Sequence, residues 1–106
     1  MNSQANSYYL KAKESYPWDL SESLEALEYA ISYDETHAPA HSLLGQLYAE
    51  QLNNYEEAFY HFEQALILDI HYVETYYHFS DALIQYGELK RAKKLLKHAK
   101  KNKRNL

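Results

Sequence analysis

The sequence predicts an all-α protein of three stacked helix-turn-helix hairpins, and three observations carry that prediction. Apolar residues return at a fixed interval: Leu27, Phe62 and Leu96 stand 35 and 34 residues apart, and Ala30, Ala65 and Ala99 keep the same offsets. Between the turns, apolar positions recur at helical spacing. Gly and Pro number two each, too few to punctuate a chain of strands and hairpins. Other pairs hold the register, Leu44 with Phe79, Gly45 with Ser80, Tyr48 with Leu83 and Ala58 with Ala92. Self-similarity near 34 residues marks helical hairpins that bury their apolar faces only against a neighbour. The 106 residues suit one domain, 1–106, with repeats at about 3–36, 37–72 and 73–102 and a basic tail at 100–106.

Each helix has its own signals. Tyr9, Ala12 and Tyr16 give a first helix that ends before Pro17, because a residue preceding proline is pushed out of the helical region. Asp19 and Glu22 fit a capping box for a second, which packs Leu24, Leu27, Ala30 and Ile31 and stops near Asp34. Pro39 suits the first turn of a third, whose stripe runs through Leu43, Leu44, Leu47 and Tyr48. Asn54 and Glu57 repeat the capping pattern before a fourth with Ala58, Phe62, Ala65 and Leu66. A fifth covers about Val73 to Tyr86, and Gly87 supplies the turn into a sixth from about Leu89 to Asn102. The sixth carries a narrow stripe of Leu89, Ala92, Leu95, Leu96 and Ala99, with Lys and Arg nearly everywhere else. The fourth is apolar around more of its circumference. A helix in mid-stack buries two sides and one at the end buries one, so the sixth is expected to be a terminal cap with its stripe in the core.

Composition narrows function. Twelve Tyr, three Phe and one Trp argue against disorder. The absence of cysteine excludes disulfides, thiolate metal sites and cysteine nucleophiles. Met1 to Ser7 lack the charged start and apolar run of a secretion signal, and no apolar stretch approaches a membrane span, so a soluble cytoplasmic protein is expected. Charge is sharply divided. From Glu14 to Leu89 there are fifteen Asp and Glu and no Lys or Arg; from Lys90 to Leu106 there are nine Lys and Arg and no acid. The net charge of −4 describes neither part.

The frame resembles the tetratricopeptide repeat family, whose first helix carries W-x2-L-G-x2-Y and whose second carries A-x3-F-x2-A before a proline. His41, Leu44, Gly45 and Tyr48 match the first frame, with His41 in place of Trp; Ala58, Phe62 and Ala65 match the second after a one-residue insertion near Asn53 and Asn54. In the third repeat Tyr76, Phe79, Ser80 and Leu83 lead to Ala92, Leu96 and Ala99. The first repeat is partial, with Ser23 replacing an alanine, and Glu35 and Ile70 stand where the closing proline belongs. Small residues at Gly45, Ser80, Ala58 and Ala92 suit close helix approach, and Tyr48, Phe62 and Phe79 suit filling the gaps between hairpins.

The resemblance implies a short right-handed solenoid whose first helices line a concave groove for a partner segment. Its groove positions fall on Ser42, Leu43, Gln46, Ala49 and Glu50, then Glu74, Tyr77, His78, Asp81 and Gln85, with Tyr9 and Lys13 from the first repeat. Such a groove is acidic and carries a tyrosine, so the matching protein or peptide partner is basic, a Lys or Arg beside an apolar residue. One branch of the family clamps terminal carboxylates of chaperone peptides with Lys, Arg and Asn. Here Leu43, Gln46, Glu74 and His78 stand at those positions, which disfavours an acidic tail.

Two other readings concern the basic end. Lys90, Arg91, Lys93, Lys94, Lys97, Lys100, Lys101, Lys103 and Arg104 suit phosphate contacts to nucleic acid or an anionic surface. Against nucleic acid, the region lacks aromatic rings for stacking. The same end also suits salt-sensitive, head-to-tail self-association on another copy's acidic body. Metal and catalysis find less support. His37 and His41 lie four apart with a helix starting between them, and no nucleophile elbow, phosphate loop or HExxH occurs. Glu56 and Glu57 fit a helix's first turn. A binding module without cofactor, rather than an enzyme, is the expectation.

Overall fold

The structure, a computed structural model, describes residues 2–104, with side chains through Lys101. Met1, Asn105, Leu106 and the side chains of Asn102, Lys103 and Arg104 lie outside the described residues, and with them the end of the expected basic tail. Six helices follow in order: α1 (Ser3–Ser15), α2 (Leu20–Tyr33), α3 (Ala38–Glu50), α4 (Tyr55–Leu68), α5 (Val73–Tyr86) and α6 (Leu89–Arg104). α1 packs on α2, α3 on α4 and α5 on α6; α3 also touches α1, α2 and α5, so the hairpins stack in chain order. The first helices of the hairpins thereby share one side of the molecule.

Side chains close the helix starts. Asn2 Oδ1 accepts from the amides of Gln4 and Ala5, Asp19 Oδ1 from Glu22, and Asn54 Oδ1 from Glu57. The expected capping boxes are only half made, because Glu22 turns to Lys11 and Glu57 to His61 instead of reaching back. His37 caps α3 with its ring, Nδ1 accepting from the Ala40 amide at 3.1 Å. Asp34 and Asp69, the C-caps of α2 and α4, accept from the amides two residues on, at Thr36 and His71. These Asx turns reverse the chain where the family's proline is missing. The one-residue insertion is absorbed by Asn53, which takes φ 51°, and Gly87 ends α5 at φ 93°. Both are left-handed conformations, tolerated by Asn and open to Gly.

The core divides at α3. One cluster joins Tyr9, Ala12, Leu27, Ala30, Leu44 and Leu47; the other joins Ala58, Phe62, Phe79, Leu83 and Ala92, and Tyr48 packs against both. Phe62 is fully buried and stacks on Phe79 with ring centroids 5.1 Å apart. It fits only because Gly45 faces it: a Cβ at Gly45 would lie 2.6 Å from Phe62 Cδ1. Arg91 of α6 pairs with Glu63 of α4 and lies over the Phe59 and Phe79 rings, tying the last two hairpins together.

Two expectations fail here. α4 buries only Ala58, Phe62 and Ala65, and Ile67 is 76 % exposed, because α4 meets α3 on one side and only the edge of α5 on the other. The α6 stripe is not swallowed by the core either. Ala92 is buried, but Leu89 and Leu96 are exposed, since α6 packs chiefly on α5.

Gly45→Ala is expected to destabilise the fold by about 1–2 kcal/mol: overpacking against a locked ring costs ~1–3, and Ala in a helix returns ~0.5–1. Urea denaturation measures it, and Phe62→Leu in the same chain should cut the additional cost of Gly45→Ala.

Candidate functional site

The helices α1, α3 and α5 present a concave face with two adjoining cavities. One, of about 340 Å³, is lined by Gln46, Ala49, Glu50, Asn53, Tyr55, His78, Asp81, Ala82 and Gln85. The other, of about 240 Å³, lies nearer the first hairpin and takes in Tyr9, Lys13, Tyr16, Ser42, Leu43, Gln46, Tyr72, Glu74 and His78. Gln46 and His78 belong to both, so the two form one continuous groove. Helical spacing explains the lining on α5: Glu74, His78, Asp81 and Gln85 fall at i, i+4, i+7 and i+11 on one face.

Three of the expected residues take other roles. Ser42 and Leu43 are almost wholly buried and form floor rather than contact surface. The Ser42 hydroxyl accepts from Thr75 Oγ1 at 3.0 Å, which joins α3 to α5. Tyr77 lines neither cavity; it is exposed on the side of α5 turned away from α3. Six lining residues were missed by pattern: Tyr16, Pro39, Asn53, Tyr55, Tyr72 and Ala82. Tyr16 lies seven residues after Tyr9 on the face of α1 that also carries Lys13, a spacing that would have found it. Tyr72 sits in the turn before α5, and no periodicity points to it.

Glu50 is the hub of the groove. Its carboxylate accepts from the Tyr16 hydroxyl at 2.8 Å and from Gln46 Nε2 at 3.1 Å, and it lies 3.6 Å from His78 Nδ1. A second chain runs across the floor, Tyr9 donating to Tyr72 at 3.2 Å and Tyr72 donating to Glu74 at 3.1 Å. Burial first, then Glu50 for Tyr16 and Tyr9 ahead of Glu74 for Tyr72, hold both phenols well above the usual tyrosine range. Both stay neutral donors, which fixes the rotamers of Glu50 and Glu74.

His37, His41 and His61 are absorbed into the scaffold. His37 Nδ1 accepts the α3 cap bond, so its proton sits on Nε2, facing Asn6 Oδ1 at 3.4 Å. His41 Nε2 donates to the Glu35 carbonyl at 2.9 Å, which leaves its Nδ1 to accept from His61 Nδ1 at 3.1 Å. Burial and then the neighbouring His41 push the His61 ring down to about 4. Among the described residues no group of three or more His, Cys, Asp and Glu is placed to hold a metal ion, and no helix is long and apolar enough to cross a membrane.

Comparison with known proteins follows the geometry. Residues 49–105 match the family model for the tetratricopeptide repeat. This chain belongs to the tetratricopeptide repeat family. A comparison with curated proteins found no match. Among solved structures, the second tetratricopeptide repeat domain of Spaghetti (RPAP3), bound to the HSP90 peptide SRMEEVD, is similar at a TM-score of 0.81. The two are 22 % identical, and the match covers 92 % of this chain and 90 % of that one. At that identity the likeness is one of fold, a right-handed solenoid of three helical hairpins.

Stability should fall as pH drops from about 6.5 toward 4, because the unfolded chain protonates His61 near its ordinary value of 6.5 while the folded chain resists to about 4. Thermal melts across that interval measure the loss, and His61→Phe, which keeps a ring against Tyr48, should flatten it.

Proposed function

We propose that this chain is a small adaptor that binds a basic segment of a partner protein along its concave face. One observation carries the reading. Glu50, Glu74 and Asp81 line the groove, and Lys13 is the one Lys or Arg among its described lining residues. The larger cavity combines two carboxylates, Glu50 and Asp81, with an apolar base of Ala49, Ala82 and Tyr55. That combination suits a Lys or Arg, whose stem lies on apolar surface while its head meets carboxylate. The Glu50 and Glu74 carboxylates are already held by tyrosines, so a ligand orders itself without reorganising the site. The peptide bound by the Spaghetti domain ends in Glu-Glu-Val-Asp; with one lysine against three carboxylates, this groove favours the opposite charge.

A second reading rests on α6, where Lys90, Lys93, Lys94, Lys97, Lys100 and Lys101 are all exposed and no acid intervenes. That surface suits nucleic acid or an anionic surface through phosphate contacts.

Fluorescence anisotropy decides between them. A labelled peptide carrying Lys, Leu and Arg should bind, SRMEEVD should not, and Asp81→Lys should weaken the basic peptide at least about tenfold at low salt. Unchanged affinity in Asp81→Lys, or preference for SRMEEVD, overturns the groove reading. Lys93→Glu with Lys97→Glu should leave the basic peptide's affinity unchanged and abolish any binding to a single-stranded oligonucleotide.

A further inference from the structure

The two ends of the stack differ in character. At the first end α1 turns Gln4, Ser7, Lys11 and Glu14 to solvent beside Leu10, and the first hairpin also exposes Trp18, Tyr29 and Tyr33. At the other end five large apolar side chains are exposed together. On α5, Val73, Tyr77 and Ile84 lie within a ~40° arc at 100° per residue, and they are 47 %, 65 % and 45 % exposed. They point away from the side on which Thr75 meets Ser42 and Phe79 meets Phe62. On α6, Leu89 and Leu96 are 57 % and 43 % exposed, on the flank opposite Arg91, which pairs with Glu63 of α4. Both stripes therefore look out of the stack in the same direction and make one apolar end face. A monomer rarely leaves such a patch uncovered.

The borders of this face carry opposite charges. Along its α5 edge run Glu74 and Asp81; along its α6 edge run Lys93, Lys97 and Lys100, all exposed. In the α5–α6 hairpin the chain reverses at Gly87. With a rise of ~1.5 Å per residue, Glu74 comes level with Lys100 and Asp81 with Lys93, and Lys97 lies about one turn from Asp81. Tyr77 in the same way comes level with Leu96, and Ile84 with Leu89. A face arranged so is complementary to itself.

We propose that the end face is the interface of a two-fold symmetric homodimer. The axis lies between α5 and α6 and runs along them, so α5 of each copy covers α6 of the other. Tyr77 then packs on Leu96 of the second copy and Ile84 on Leu89, while Glu74 and Asp81 meet its lysines. The perpendicular two-fold, which sets α6 on α6, opposes lysine to lysine and is disfavoured. The first hairpin also exposes Leu10, Trp18, Tyr29 and Tyr33, so a head-to-tail array is the competing arrangement, and open-ended polymers are its signature. The two-fold contact has an apolar centre and a charged rim, the anatomy of a stable interface, and it differs from the purely electrostatic assembly expected from charge alone.

Sedimentation of the full chain tests this. A dimer is expected at about 100 µM that persists in ~0.5 M salt with its dissociation constant raised, because salt screens only the rim. Tyr77→Ser with Leu96→Asp should give a monomer of unchanged circular dichroism that still binds the basic peptide. Lys93→Glu with Lys97→Glu should weaken the dimer about tenfold, and adding Asp81→Lys to that chain should restore it, since the rim charges are then exchanged. A monomer up to about 1 mM, open-ended polymers, or a dimer indifferent to these substitutions would each overturn the proposal, as would capture of the end face by anionic vesicles in preference to a second copy.

Discussion

The stack depends on the contact between Gly45 and the Phe62 ring. A missing side chain on α3 lets the ring from α4 lie where a Cβ would clash at 2.6 Å, and the ring's other face is then available to Phe79 of α5. One buried aromatic thereby holds the second hairpin closed and docks the third upon it. Close packing makes such a site unforgiving: with Phe62 and Leu83 wholly enclosed, no neighbouring void takes up a displaced ring. Everything that lines the groove on α3 and α5 inherits its position from this contact.

Polar groups do the equivalent work at the turns. Asp34 and Asp69 stand one repeat apart and form the same Asx turn, and the Thr36 hydroxyl and amide hold the Asp34 carboxyl below the usual carboxylate range. The following caps have diverged, His37 in one repeat and Tyr72 in the next. His37 spends its ring on the helix end. Tyr72 makes no side-chain cap and turns its hydroxyl to Tyr9 and Glu74 instead. A structural position in one repeat has become a groove residue in the next, which is how a repeat array acquires a site without changing its backbone.

The division of charge along the chain becomes a division of surfaces. Acids on α3 and α5 gather at the concave face, with Glu50 held by tyrosine, glutamine and histidine. The lysines of α6 occupy one outer face, separated from the groove by the apolar end. Spaghetti's domain shares the fold of this chain at 22 % identity, and the fold alone says little about the ligand.

Helix number, order and boundaries were legible in the sequence because they rest on local rules: apolar spacing, Asp19 and Asn54 as caps, Gly87 as a stop. The repeat frame marked Gly45 as a point of close helix approach and Phe62 as a gap filler, and the tertiary structure set the one against the other. The sequence also determined the groove stripe on α5, for Glu74, His78, Asp81 and Gln85 share a face whatever surrounds them. Only the tertiary structure decided which flank of a stripe faces solvent. Ser42 and Leu43 went to the floor because α5 closes over α3, and Tyr77 went to the end face because its helix is turned by Thr75 and Phe79 toward the second hairpin. Leu89 and Leu96 stayed exposed for a related reason. A 3.6-residue period marks an apolar arc but not its neighbours, and burial depends on what packs against it.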